Sequence, residues 1–145
     1  MLVVTHALVG GFVSSKISNP VISSPLLVIS HFLLDSIPHW DLGTEFRKRK
    51  KIINFLLGWV DLLGGIGICW LIFQKNSPFK PLLWTGVFFS LLPDFLEFPA
   101  LFLNWRFFPF DKLKLIHSYF FHRKAKFPQG LILQLIIIGG ILLLA

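Results

Sequence analysis

The stretch His31-Phe32-Leu33-Leu34-Asp35-Ser36-Ile37-Pro38-His39-Trp40-Asp41 closes an apolar run that begins near residue 21. Its leucines and phenylalanine suit a helix in an apolar medium, whereas His31 and Asp35 do not. Their i, i+4 spacing places both on one helix face, one turn apart. An acid at the centre of a membrane helix costs roughly 2.5–3.5 kcal/mol, so it needs a partner. Asp61, Asp94 and Glu97 pose the same problem in later apolar segments, and no Lys or Arg lies within those segments to answer it. The partner is then a proton, a transported ion or a bound metal. The nearby histidines favour a metal.

With 145 residues the chain suits one domain, expected as a single integral-membrane helical domain over 1–145. A content of 54% hydrophobic and 14% charged residues, with mean hydropathy +0.73, points to a membrane protein rather than a water-soluble globule. The net charge of +7 could suggest nucleic acid as a partner. The basic residues, however, fall in the gaps between apolar segments, where membrane-flanking charge collects, so no nucleic-acid partner is expected. Cys69 is the only cysteine, which excludes an intrachain disulfide, and its apolar surroundings suggest packing. Met1 is followed by apolar residues without a basic leader, so no cleavable signal peptide is expected. Neither Gly-x-Ser-x-Gly nor Cys-x-x-Cys occurs, which leaves a serine hydrolase or thiol enzyme without a basis.

The apolar pattern predicts an all-α polytopic membrane bundle of about five transmembrane helices, at roughly 2–15, 21–38, 52–73, 81–103 and 130–145. The first and last are shorter than the ~20 residues that span a typical bilayer. Of the fourteen Lys and Arg residues, eleven fall in the second and fourth loops, including Arg47-Lys48-Arg49-Lys50-Lys51. The positive-inside rule makes that face cytoplasmic, with the N-terminus inside and the C-terminus outside. This predicts a multi-pass protein of the inner membrane. It also brings every histidine and acid to the inner half of the bilayer or its inner surface.

Four further constellations stand out. His6 lies one turn before Gly10, which would let another helix approach closely. It reads as a ligand, or else as an interfacial histidine bonded to a carbonyl. Asp61 sits between Gly58 and Gly65 on one small-residue face expected to turn inward. It reads as a ligand, a residue behind the ligands, or a neutral carboxyl bonded across helices. Asp94 and Glu97 share a face in Leu92-Pro93-Asp94-Phe95-Leu96-Glu97, and Pro93 removes a helix hydrogen bond beside them. His117 and His122 bracket Ser118-Tyr119-Phe120-Phe121, and 111–124 could form an amphipathic surface helix. Five residues apart, the two do not share an α-helical face. At most one is expected to ligate, namely His117, with His122 beside Arg123-Lys124 facing headgroups.

Thr5-His6 with Gly10, His31-x-x-x-Asp35-x-x-Pro38-His39-x-Asp41, Leu92-Pro93-Asp94 and a late His117-Ser118 resemble the bacterial and archaeal family of small predicted membrane-bound metal-dependent hydrolases. The resemblance runs through roughly 5–134 and implies a helical membrane domain with metal-dependent hydrolase activity. Many members carry Pro-Asp-x-Asp where this chain has Pro38-His39-Trp40-Asp41, which lowers the charge of the site by one. The expected ligands are His6, His31, Asp35, Asp41, Asp94 and His117. His39, Asp61 and Glu97 are expected as the catalytic or ligand-orienting set. Mixed His and carboxylate donors suit a divalent metal ion, zinc first, with manganese or iron as alternatives. Expected partners are membrane lipids and a small-molecule or lipid substrate, a phosphoester or lipid headgroup at the cytoplasmic face. The rival readings are a cation or proton carrier using the intramembrane acids, and a non-catalytic membrane protein with a structural metal.

Overall fold

Asn19 and Pro20 start the second helix as chain chemistry dictates. The Asn19 side chain accepts from Val21 N at 3.0 Å, and Pro20 fills the first helical position, where no N–H is needed. The computed structural model describes residues 1–75 and 80–145. Residues 76–79, together with the Lys80 side chain that enters the basic tally, lie outside the described residues.

The helices are α1 (Val3–Lys16), α2 (Pro20–Asp35), α3 (Lys51–Phe73), α4 (Lys80–Phe102), α5 (Phe110–Ile116) and α6 (Gln129–Leu144). A 3-10 helix, Leu42–Lys48, precedes α3, and α5 runs on into a π-helical turn, His117–Phe121. The protein is all-helical. Among the described residues the one β-type contact is a parallel bridge between His39 and Lys124.

At 23 residues each, α3 and α4 are about 34 Å long, enough for a ~30 Å hydrocarbon core. They are the two described helices long and apolar enough to cross a membrane, against the five spans expected. α1, α2 and α6 reach only 14, 16 and 16 residues. α2 stops at Asp35 rather than at Pro38, because a proline pushes its predecessor away from helical geometry and the chain must leave the helix before it.

α1 lies at the centre, packed on α2, α3, α4 and α6. It has almost no apolar stripe, so small residues rather than amphipathicity decide its contacts. A Cβ at Gly10 would sit 2.6 Å from Ser90 Oγ and 2.8 Å from the Gly86 carbonyl on α4. One at Gly65 of α3 would sit 2.8 Å from Val4 Cα. Only glycine permits either approach. Beside these crossings a dry core forms from Ala7, Leu8, Cys69, Phe73, Leu83 and Val87. The outward faces remain apolar: Val21 is 80% exposed, Leu71 71% and Leu143 89%. Apolar surface on that scale exceeds what a water-soluble monomer ordinarily leaves exposed.

Candidate metal centre

Five segments deliver side chains to one place at the ends of α2 and α5 and the middle of α4. α1 brings His6. α2 brings His31 and Asp35, and the loop after it His39 and Asp41. α4 brings Asp94 and Glu97. The π turn brings His117 and His122. Three groups of potential ligand atoms, each within 4.8 Å of one another, adjoin here: His6, His31 and Asp94; His31, Asp35 and His117; Asp35, His39 and His122. They share His31 and Asp35, the two residues that decide the sequence reading.

Asp35, buried, sits at the middle. Its Oδ1 lies 3.2 Å from His6 Nε2 and 3.7 Å from His39 Nε2. Its Oδ2 lies 2.7 Å from His117 Nε2 and 3.6 Å from His31 Nε2. The amine of Met1 also rests against Oδ1. On the far sides, His31 Nε2 is 3.6 Å from Asp94 Oδ1, and His39 Nε2 is 3.6 Å from Asp41 Oδ2.

The backbone sets the histidine tautomers. His31 Nδ1 donates to the Ser90 carbonyl at 2.8 Å, and His39 Nδ1 to the Ile37 carbonyl at 2.8 Å. A carbonyl only accepts, so each Nδ1 carries the proton and the neutral ring presents a lone pair at Nε2. Both Nε2 atoms are buried and have no hydrogen-bond partner. Instead they face carboxylate oxygens at 3.6–3.7 Å. Acceptor facing acceptor in a buried site is repulsive unless a positive charge, either a proton on Nε2 or a cation, lies between. Two ligands held about 2.0–2.2 Å from a tetrahedral cation stand about 3.3–3.6 Å apart, close to the observed spacing. Donation of the second ring nitrogen to a carbonyl or carboxylate is also the usual way a ligating histidine is oriented.

His117 follows the same design with a different anchor. Its Nδ1 is in close contact with Glu97 Oε1. Burial depresses its pKa, but the hydrogen bonds to Asp35 and Glu97 outweigh that and lift it to about 10. In the absence of a metal the ring therefore holds a proton between two carboxylates. For Asp41, burial raises the pKa, and the His122 and His39 contacts outweigh it and hold the carboxyl well below the usual carboxylate range. Asp41 Oδ1 accepts from Thr44 N at 2.6 Å and so caps the 3-10 helix, leaving Oδ2 for the histidines.

The expected ligands His6, His31, Asp35, Asp41, Asp94 and His117 all reach this cluster, as does His39. Asp61 does not join them. Its oxygens accept from Val3 N at 2.8 Å and Val4 N at 3.1 Å, so it caps α1, whose first N–H groups have no helical partner. The face expected to carry it inward is divided: Gly65 meets α1, whereas a Cβ at Gly58 would meet no heavy atom within 4 Å. Glu97 holds His117 rather than pointing its donor atoms at the shared acids.

His122 is the clearest departure from expectation. Its Nε2 lies 2.8 Å from Asp41 Oδ2, inside the cluster rather than among headgroups. His122 N donates to the His117 carbonyl at 3.0 Å, an i to i+5 bond. That wider turn brings residues five apart onto one side, which an α-helix cannot do, and such turns gather at functional sites. The pairing of 35–39 with 123–125 completes the frame. Arg123 N donates to Asp35 O at 3.1 Å, His39 N to Arg123 O at 3.0 Å and Ala125 N to His39 O at 2.7 Å.

Gln134 was not anticipated. It is fully buried in α6, accepts from Leu2 N at 2.8 Å and donates to the Trp40 carbonyl at 2.6 Å. It thereby ties the start of α1 to the loop carrying His39 and Asp41. The available signal was its being the one polar side chain in the interior of that helix, past Gln129 at its start.

No family model matches the chain, and no curated protein or solved structure matches it.

Proposed function

We propose that the chain is a multi-pass membrane protein whose buried His and Asp cluster holds one or two divalent cations and hydrolyses a phosphoester or lipid headgroup at the cytoplasmic face. The observation that carries this reading is the pair of buried Nε2 atoms without hydrogen-bond partners, on His31 and His39, which lie at cation-sharing distance from carboxylate oxygens. Asp35 would be common to both positions, with His31 and His117 toward one and His39 and His122 toward the other. Zinc suits these donors best, and manganese or iron would also fit. A cation of this kind supplies an activated water at neutral pH and positive charge against a phosphoryl oxygen.

The chain's own groups divide the remaining work. Asp94, with a side chain 36% exposed, faces the adjoining cavity and is placed to take a proton from water arriving there. Glu97 fixes the ring plane of His117, and Thr44 and the histidines fix Asp41. The basic residues at 47–51 would hold an anionic substrate near the mouth.

Five spans with the N-terminus inside fit the basic asymmetry and the apolar outer faces of α2 and α6. The short helices, about 21–24 Å long, would cross a locally thinned inner membrane. The gathering of all five histidines with the acids in one cluster favours a bound metal, and so hydrolysis, over a carrier site. The resemblance to membrane-bound metal-dependent hydrolases agrees with this choice. The test is zinc-dependent release of headgroup alcohol, phosphorylated headgroup or phosphate from a panel of phospholipids by wild type in vesicles, with His31→Ala as the control. Loss of release in that variant is expected, and a variant as active as wild type would reject the reading. Reporter fusions at the two ends should fall on opposite sides, and both on one side would reject five spans.

A further inference from the structure

α3 and α4 touch at two levels and part between them. Near their joined ends Trp70 stacks on Trp84 at 5.5 Å. Near the ends closest to the basic segment, Phe55 meets Phe98 at 6.1 Å and Phe102 at 5.8 Å. Between these contacts lies a cavity of about 470 Å³, within the ~300–1,000 Å³ range of pockets that take small molecules. Gly58, Trp59 and Leu62 line it from α3, Leu91, Phe95 and Phe98 from α4, and most of its wall area is apolar. Asp94, Glu97, His117 and His122 also face into it, so the cation cluster forms one wall. Trp59 and Phe95 line the cavity and yet are 46% and 42% exposed, so the wall continues onto the outside between two helices long enough to span a membrane.

We propose that this cavity is the seat of one acyl chain of an anionic phospholipid, entering sideways from the bilayer between α3 and α4. The proposal deepens the hydrolase reading by naming its substrate class, and rests on that reading for the fate of the headgroup. A water-soluble phosphoester has no use for apolar walls that open toward lipid, and desolvating them around a polar ligand gives nothing back. An acyl chain gains from leaving one apolar medium for a shaped one only through close packing, so the headgroup must supply the selection. The cover over the cavity does so. The 3-10 helix lines it through Leu42, Gly43 and Phe46 and carries exposed Arg47 and Lys48, followed by exposed Lys50 and Lys51. Those cations attract an anionic headgroup to the same end at which the acids and histidines lie.

The test uses the full chain in vesicles of phosphatidylcholine with phosphatidylglycerol bearing a photoreactive diazirine midway along one acyl chain. Wild type should label preferentially at Trp59, Leu62 or Phe95. Gly58→Trp places a ring in space where even a Cβ meets nothing, and should lower that labelling several-fold. Gly67→Trp, equally unobstructed but exposed away from the cavity, should leave it unchanged. Labelling spread evenly over outward residues such as Leu71, Val21 and Leu143 in wild type would overturn the proposal without any variant. So would Gly58→Trp labelling like wild type. Bound metal is measured on the same samples. Protein without metal that still labels at the window retains the acyl site and discards the hydrolase reading, so the two fail separately.

Discussion

The two ends of α1 rest on different physics. At Gly10, Gly11 and Ser14 the helix is clasped by α3 and α4 through small residues, dry and close-packed. At Val3, Val4 and His6 it is held by polar contacts to Asp61 and Asp35, beside an open cavity. Close packing fixes helices but leaves no room for a ligand. A hydrogen-bonded polar cluster positions donors to within a fraction of an ångström yet leaves their remaining lone pairs unanswered. The packed end thus serves as the anchor against which the polar end is held apart.

Substitutions at the two ends should separate binding from stability. The largest effect belongs to Asp35→Ala and His31→Ala, each of which removes a residue common to two of the three ligand groups. Bound metal, read by elemental analysis, should fall to background in both. Next comes His122→Ala, for which the geometry predicts a loss of about 10–100-fold in metal affinity, the range typical of disturbed metal-site support. An unchanged affinity would return His122 to the surface role its sequence neighbours suggest. At the packed end, Gly11→Leu, which meets Cys69 and Phe73 rather than any ligand, should leave the ligands in place but overpack the α1–α3 crossing, costing about 1–3 kcal/mol or more in detergent unfolding. Gln134→Ala strands the Leu2 N–H and the Trp40 carbonyl and should cost about 1–3 kcal/mol, with a small fall in metal affinity through His39 and Asp41. Smallest is Cys69→Ala, a modest core truncation of about 1 kcal/mol or less with metal content unchanged. If it altered metal binding, the division between the two ends would fail.

Much of the polar end was legible because acids and histidines inside long apolar segments are costly and therefore point to themselves. His31, Asp35 and Asp94 could be read from spacing and apolar context. Gly10 could be read as a close approach for the same kind of reason. Three features were hidden for identifiable causes. His122 depends on a π turn, and an i to i+5 bond leaves no mark in the residues that make it. Asp61 looked inward correctly, but whether an inward carboxylate meets a metal or the bare N–H groups of a neighbouring helix depends on where that helix begins in space. The end of α2 was the third. The apolar run continues past the point where Ser36 and Pro38 turn the chain, so the second span, read as 21–38, came out longer than α2 (Pro20–Asp35), whereas the other four match their helices to within a residue at each end.

The central claim is that a cation belongs between the buried Nε2 atoms and the carboxylates. X-ray absorption of zinc-loaded, detergent-purified protein tests it most directly. The account predicts nitrogen and oxygen neighbours at about 2.0–2.2 Å with several imidazoles and no sulfur, and loss of the bound zinc in His31→Ala. Protein that takes up no stoichiometric metal, or metal bound through Cys69, would contradict it.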